Sequence, residues 1–335
     1  MNQDAASRDV VIVTGGGGFI GRAITGRLAG RYAVVVLDRH EPENLPASAA
    51  FVPIDLASDK AVREAMRAVR ERHGQRIASV IHLAAYFDLT GEPSPKYEQI
   101  TVRGTERLLR ELQGFEVGQF IFASTMLVHR ATGPAERIDE THPLDPKLPY
   151  RASKIETERL IHEQRGGIPV VYLRPAGVYD NLCRNAFLAH QIARINERSL
   201  KGHLYSGHPG AGQSFLHLDD FAEAVSLIVG RRKELPPELP LLLGEGDVIN
   251  YEELQRAIGR LLHGEEWETW SLPKPLAKAG PGSKRRFWAR IPSSAPGWWT
   301  SPATATNSTP AAPVTCSGGR PDAACAGHYP RSSPR

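Results

Sequence analysis

The sequence predicts an α/β fold, a doubly wound parallel sheet covered by helices with a smaller C-terminal substrate lobe. Three observations predict it. Strand-like and helix-like patterns alternate through residues 1–174, the order that builds a parallel sheet with crossover helices. The strand patterns are continuous apolar runs, as at 10–13, which fits strands buried on both faces. The first of them leads into a glycine-rich turn and then a helical pattern.

That first unit carries Gly15-x-x-Gly18-x-x-Gly21, with Phe19 and Ile20 inside it and Ile20, Ile24 and Leu28 along one helix face. Strand, glycine turn and helix start together make an anion site, because backbone N–H groups and the helix dipole point at a diphosphate. Gly15 permits the tight turn, Gly18 lets backbone approach phosphate, and Gly21 lets helix pack close to strand. A second strand, 33–37, ends at Asp38. That acid lies about 20 residues past the glycines, where a carboxylate accepts hydrogen bonds from an adenosine ribose. The context is that of a Rossmann-like dinucleotide unit. The charge of Asp38 would repel a 2′-phosphate, so NAD is expected over NADP, with Arg39 softening the preference.

The remaining elements follow in order. A third strand, 50–54, ends at Asp55 and Leu56. Ser58 is placed to cap a helix over 58–73, whose buried stripe is Val62, Met66 and Val69 and which Gly74 stops. A fourth strand, 77–82, leads into Leu83, Ala84 and Ala85, small residues that let a cofactor lie against the sheet edge. His82 reads as a packing residue at the strand end. A helix over 96–112 contains Gly104, which marks close packing. Strand 119–123 delivers Ser124 and Thr125. After Pro149 a helix opens at Tyr150, and Lys154 four positions on shares its face. Strand 168–173 precedes Arg174 and Pro175. Beyond it the pattern predicts helices over 186–198 and 251–262 and strands at 215–218 and 241–243. A helix running to Gly230 is expected to be capped by Asp219 or Asp220.

Bulk properties bound the function. The chain has 335 residues and a net charge of +4, but residues 281–335 hold seven Lys or Arg against one acid, Asp322. The basic balance therefore belongs to the tail, and the rest of the chain gives no footprint for nucleic acid. Only Cys183 lies before the tail, which argues against a disulfide scaffold and against a metal site. No signal peptide, transit peptide or membrane-length apolar run is present, and a cytoplasmic location is expected.

In order, the motifs are Thr14 to Gly21, Asp38, Asp55-Leu56, His82 to Ala85, Ser124-Thr125, Tyr150-x-x-x-Lys154, Leu173-Arg174-Pro175-Ala176-Gly177-Val178-Tyr179 and Phe215 to Asp220. Together they resemble the extended short-chain dehydrogenase/reductases, in particular the NAD-dependent epimerase/dehydratase family, over residues 8–280. The resemblance implies Tyr150 as acid/base, with Lys154 and the nicotinamide ring lowering its pKa. It implies that Lys154 also binds the nicotinamide ribose, and that Thr125, or its neighbour Ser124, holds the reacting oxygen. Asp55 and Leu56 would border adenine. Hydride transfer at a secondary alcohol or carbonyl is implied, for instance of a nucleotide sugar, and so is a homodimer. Two positions depart from the family pattern. Thr101 stands where the family has Asn, and His129 where it has Tyr.

Two other readings are compatible with the same residues: a reductase or dehydrogenase of a sterol- or flavonol-like alcohol, and a dinucleotide sensor without turnover. Tyr150 and Lys154 argue against the sensor, which needs no proton-transfer pair.

Residues 175–280 read as the substrate lobe, with segments near 215–245 returning to the sheet. Residues 281–335 contain nine prolines and no leucine, too little apolar surface to offset the entropy of ordering. This stretch reads as a disordered tail, either the product of a frame change after about Ala279 or a genuine basic tail binding nucleic acid or a membrane surface weakly.

Overall fold

The computed structural model describes residues 8–272, apart from 89, 133–135, 199, 207 and 247, and the backbone of Asn307–Ser308. The expected tail, 281–335, otherwise lies outside the described residues.

Seven parallel strands form the central sheet. They are β1 (Val10–Thr14), β2 (Ala33–Asp38), β3 (Ala49–Pro53), β4 (Ser79–His82), β5 (Phe120–Ala123), β6 (Val170–Pro175) and, later in the chain, β9 (Glu238–Leu243). Their spatial order is β3-β2-β1-β4-β5-β6-β9. The order reverses between β1 and β4, and ligands of open α/β sheets bind at that switch point. In register, Thr14 lies beside Leu37 on one side and His82 on the other.

Alternate residues of the strands feed two cores. Val11, Val13, Val34, Val36 and Ile81 face one layer, filled by α1 (Phe19–Leu28) and α6 (Leu218–Gly230) through Ile24, Leu28, Phe221 and Val225. Ile12, Val35, Leu37, Val80 and Phe122 face the other. There α2 (Asp59–His73), α3 (Arg103–Leu112) and α4 (Pro149–Gln164) contribute Met66, Val69, Leu108, Leu112 and Ile161. The apolar runs are thus buried on both faces, as their composition requires.

Beyond β6 the chain forms short pairings around α5 (Ala186–Asn196) and α7 (Tyr251–His263). Strand β7 (Gly177–Tyr179) pairs in parallel with β8 (Phe215–His217). Phe187, Phe215 and Tyr251 form a small separate core. Of the region near 215–245, β9 joins the main sheet beside β6, whereas among the described residues β8 pairs with β7 alone.

Several boundaries differ from expectation for physical reasons. The fourth strand is broken: Arg76–Ile77 pairs with Glu116–Val117, and only Ser79–His82 enters the main sheet. The helix expected over 96–112 opens as a π-helical segment, Tyr97–Val102, before α3. Neither Asp219 nor Asp220 caps α6. The cap is His217, whose Nδ1 accepts from the Asp219 N–H at 3.2 Å, and the two acids lie in the first turn, where the helix dipole favours them. Ser58 caps α2 as expected, accepting from the Ala61 N–H.

Candidate active site

The glycine turn is shaped by contacts that exclude side chains. Gly15 has φ +70° and hydrogen-bonds its N–H to the Leu37 carbonyl. A Cβ on Gly21 would lie 2.2 Å from the Gly15 carbonyl oxygen, so α1 approaches the turn as only glycine permits. Gly18 precedes α1 and offers no side-chain cap, which leaves first-turn N–H groups directed at the sheet edge. This cradle fits a diphosphate.

Asp38 stands at the end of β2 beside the turn. Its Oδ2 accepts from the Gly17 N–H at 2.9 Å and its Oδ1 from the Arg39 N–H at 2.7 Å. Asp55 is exposed and turns its carboxylate onto the Ala57 N–H. Leu56 is buried beneath Gly104, where a Cβ would meet the Leu56 Cβ at 2.9 Å. Leu83, Ala84 and Ala85 run partly buried from β4, with Ala84 N–H donating to Thr14 Oγ1 at 3.3 Å.

His82 is fully buried and hydrogen-bonded on both nitrogens, to Thr14 at 2.7 Å and Thr105 at 2.9 Å. Thr105 donates to the Thr101 carbonyl, so it accepts from His82 Nε2–H, and Thr14 donates to Nδ1. Burial holds this imidazole neutral, with its pKa pushed down to about 3. The residue packs, as expected, yet it also ties the end of β1 to α3, and through Thr105 to the Thr101 carbonyl of the π-helical segment. Thr101, in the family's Asn position, is buried there and accepts the Tyr86 N–H at 2.9 Å. It thereby holds the loop that leaves Ala85.

The end of β5 and the start of α4 bring the chemical groups together. Pro149 opens α4 at a position where its missing N–H costs nothing. Tyr150 is buried, Thr125 is the neighbour whose hydroxyl favours its phenolate, and Thr125 Oγ1 receives the Leu127 N–H at 3.3 Å. Lys154 Nζ donates to the Ala123 carbonyl at 2.7 Å and lies 6.0 Å from the Tyr150 ring centroid. Ser124 Oγ is buried with no hydrogen-bond partner among the described residues. Phe87, 55% exposed, meets the Tyr150 ring edge-on at 5.2 Å.

Burial sets the electrostatics around the phenol of Tyr150. It pushes that phenol up, and the Thr125 hydroxyl opposes this only partly. Burial also brings Lys154 down to about 7, with Glu158 countering. Desolvation outweighs the one-turn spacing for both groups.

Beneath the pair lies a network that local sequence patterns did not reveal. Arg174, from β6, forms a buried ion pair with Glu158 at 2.7 Å. It also donates to the Glu140 carbonyl and meets His129 Nε2 at 3.3 Å. His129, in the family's Tyr position, is buried against the His142 carbonyl. Glu158 lies one turn past Lys154 on α4, and that helical spacing was the available signal.

A glycine-turn β-α unit and a Tyr-x-x-x-Lys helix meeting at one sheet edge define an extended short-chain dehydrogenase/reductase. A profile of the NAD dependent epimerase/dehydratase family matches residues 11–244, and the chain belongs to that family. It is an NAD-dependent enzyme of the extended short-chain type. The UDP-glucose 4-epimerase of Streptomyces lividans is 29% identical over 273 residues, 75% of this chain and 80% of that protein. The 2-alkyl-3-oxoalkanoate reductase of Stenotrophomonas maltophilia is 30% identical over 201 residues, 58% of this chain and 57% of that protein. The solved UDP-glucose 4-epimerase of Thermus thermophilus, a complex with NAD, has a TM-score of 0.61 at 30% identity. The match covers 79% of this chain and 86% of that one. Among the described residues no helix is long and apolar enough to cross a membrane.

Proposed function

We propose that the enzyme moves a hydride at a secondary alcohol or carbonyl carbon of a nucleotide sugar, with Tyr150 exchanging the proton. The observation that carries this reading is the convergence of Thr125, Tyr150 and Lys154 at one sheet edge. NAD, when bound, supplies the ring that accepts and returns hydride. Gly15, Gly18, Phe19, Ile20 and Gly21 would hold its diphosphate, Asp38 its adenosine ribose, Asp55 and Leu56 its adenine. Leu83, Ala84 and Ala85 would flank it, and Lys154 would hold the nicotinamide ribose.

Burial keeps the Tyr150 phenol protonated at neutral pH, so the chain alone poises it as a proton donor. Thr125 orients that hydroxyl and would share the substrate oxygen, with Ser124 Oγ beside it. Positive charge close to the phenol favours the phenolate needed in the oxidising direction. The similarity to UDP-glucose 4-epimerases supports the nucleotide sugar.

A second reading, reduction or oxidation of an apolar alcohol, is favoured by one observation. Phe87 offers an exposed ring against Tyr150, and a reductase is among the relatives. A panel of nucleotide sugars and apolar secondary alcohols, followed by NADH absorbance and product chromatography, tests both. Conversion of a nucleotide sugar is expected. Turnover of apolar alcohols alone, with KM raised by Phe87→Ser, would replace the first reading with the second. By family resemblance we also infer a cytoplasmic homodimer with residues 175–280 as its substrate lobe. Light scattering at the mass of one chain would end the dimer inference.

A further inference from the structure

We propose that Arg184 binds the coenzyme directly, clasping the diphosphate of NAD from the side opposite the glycine turn. The proposal rests on the NAD site assigned above and adds a residue outside every motif that predicted it.

The turn that carries Arg184 is unusually well fixed for a surface loop. Asp180 Oδ1 accepts the N–H groups of Leu182 and Arg184 at 3.1 and 3.0 Å. The Asp180 carbonyl accepts from Cys183 N–H. Asn181 is held by His217 Nε2 at 3.2 Å, and Asn185 ties back to the Val178 carbonyl at 3.0 Å while capping α5. Cys183 adopts φ +53°, a conformation that costs energy for a residue with a side chain. Strain held by this many bonds marks a place where geometry is constrained, and ligand clamps are common among such places.

What the turn positions is a guanidinium. Arg184 Nε and Nη2 both grip Asp180 Oδ2, at 2.7 and 2.6 Å. That grip sets the plane of the fork and leaves Nη1 without a partner among the described residues. The carboxylate is 11% exposed and the arginine 62% exposed, so a fixed base carries a solvent-facing head. The head lies 5.2 Å from the centroid of the Phe19 ring. Phe19 is the first residue of α1, directly after Gly18. A cation is therefore held by the segment after β7 against the helix end whose N–H groups are left for an anion. A diphosphate there would meet backbone donors on one side and a planar cation on the other.

The test is a titration of the full chain, wild type, Arg184→Gln and Arg184→Lys, with NAD, ADP, adenosine and UDP, followed by intrinsic fluorescence or calorimetry. One lost charge-assisted bond should weaken NAD and ADP roughly tenfold in Arg184→Gln. Adenosine, lacking phosphate, should bind as before, and Arg184→Lys should recover part of the loss. Unchanged NAD and ADP affinity overturns the proposal. So does an equal loss for adenosine, which would mean the loop had merely deformed. If UDP alone weakens, the arginine serves a substrate diphosphate and the proposal fails. Wild-type protein that binds no NAD would sink the coenzyme site itself, an outcome distinct from all of these.

Discussion

At the scale of single residues, the site depends on how burial treats charge. Lys154 is buried, with its pKa pushed from 10.5 to about 7. Below about pH 7 both folded and unfolded chains hold the proton, and the penalty of a buried ammonium is fully present. Between about 7 and 10.5 the unfolded chain binds more protons, so stability rises with pH across that window. The Tm of Lys154→Met relative to wild type should therefore be higher at pH 6 than at pH 9. Thermal melts at the two values check it, and an equal or reversed difference contradicts the buried-ammonium account. Tyr150, Lys154 and Thr125 were legible in the sequence because a one-turn spacing and a strand end are local patterns. Their electrostatics were not, because desolvation depends on what Phe87, Phe122 and Tyr97 place around them. His82 had no visible partner in sequence, since Thr14 and Thr105 reach it from 68 and 23 residues away.

At the scale of elements, α4 is the hinge of the account. Its first turn presents Tyr150, its second Lys154, and its third Glu158 to Arg174 on β6. The helix is thus locked to the sheet at the point where it delivers the phenol. Removing one partner of a buried ion pair strands the other charge and typically costs about 3–5 kcal/mol. Glu158→Met should reduce stability by that order in urea unfolding. The double variant Glu158→Met with Arg174→Met should recover most of the loss, because replacing both charges by apolar groups is often neutral. A double variant as unstable as the single one would contradict this. Strand and helix identities followed from periodicity, whereas the π-helical opening at Tyr97–Val102 and the His217 cap did not. A buried network around Thr101 fixes the first, and propensity favoured the aspartates over histidine for the second.

At the scale of the whole molecule, the sheet order β3-β2-β1-β4-β5-β6-β9 explains why distant motifs converge. The strand ends that carry Thr14, Asp38, Leu83 and Ser124 share one edge because every strand is parallel. Strand β9 spans Glu238–Leu243, longer than the apolar 241–243 stretch implies, because edge pairing with β6 admits Glu238 and Pro240. Helix α6 closes the layer beside α1 through Phe221 and the Arg27–Glu223 ion pair. The central claim is that this edge joins an NAD site to a proton-transferring phenol. Comparing Tyr150→Phe with wild type, by NAD titration and by turnover of the substrate the panel identifies, tests it most directly. The account predicts NAD affinity within about twofold of wild type and turnover lower by roughly 10²–10⁴-fold, the span of general acid–base catalysis. Wild-type turnover in the Tyr150→Phe variant would contradict it.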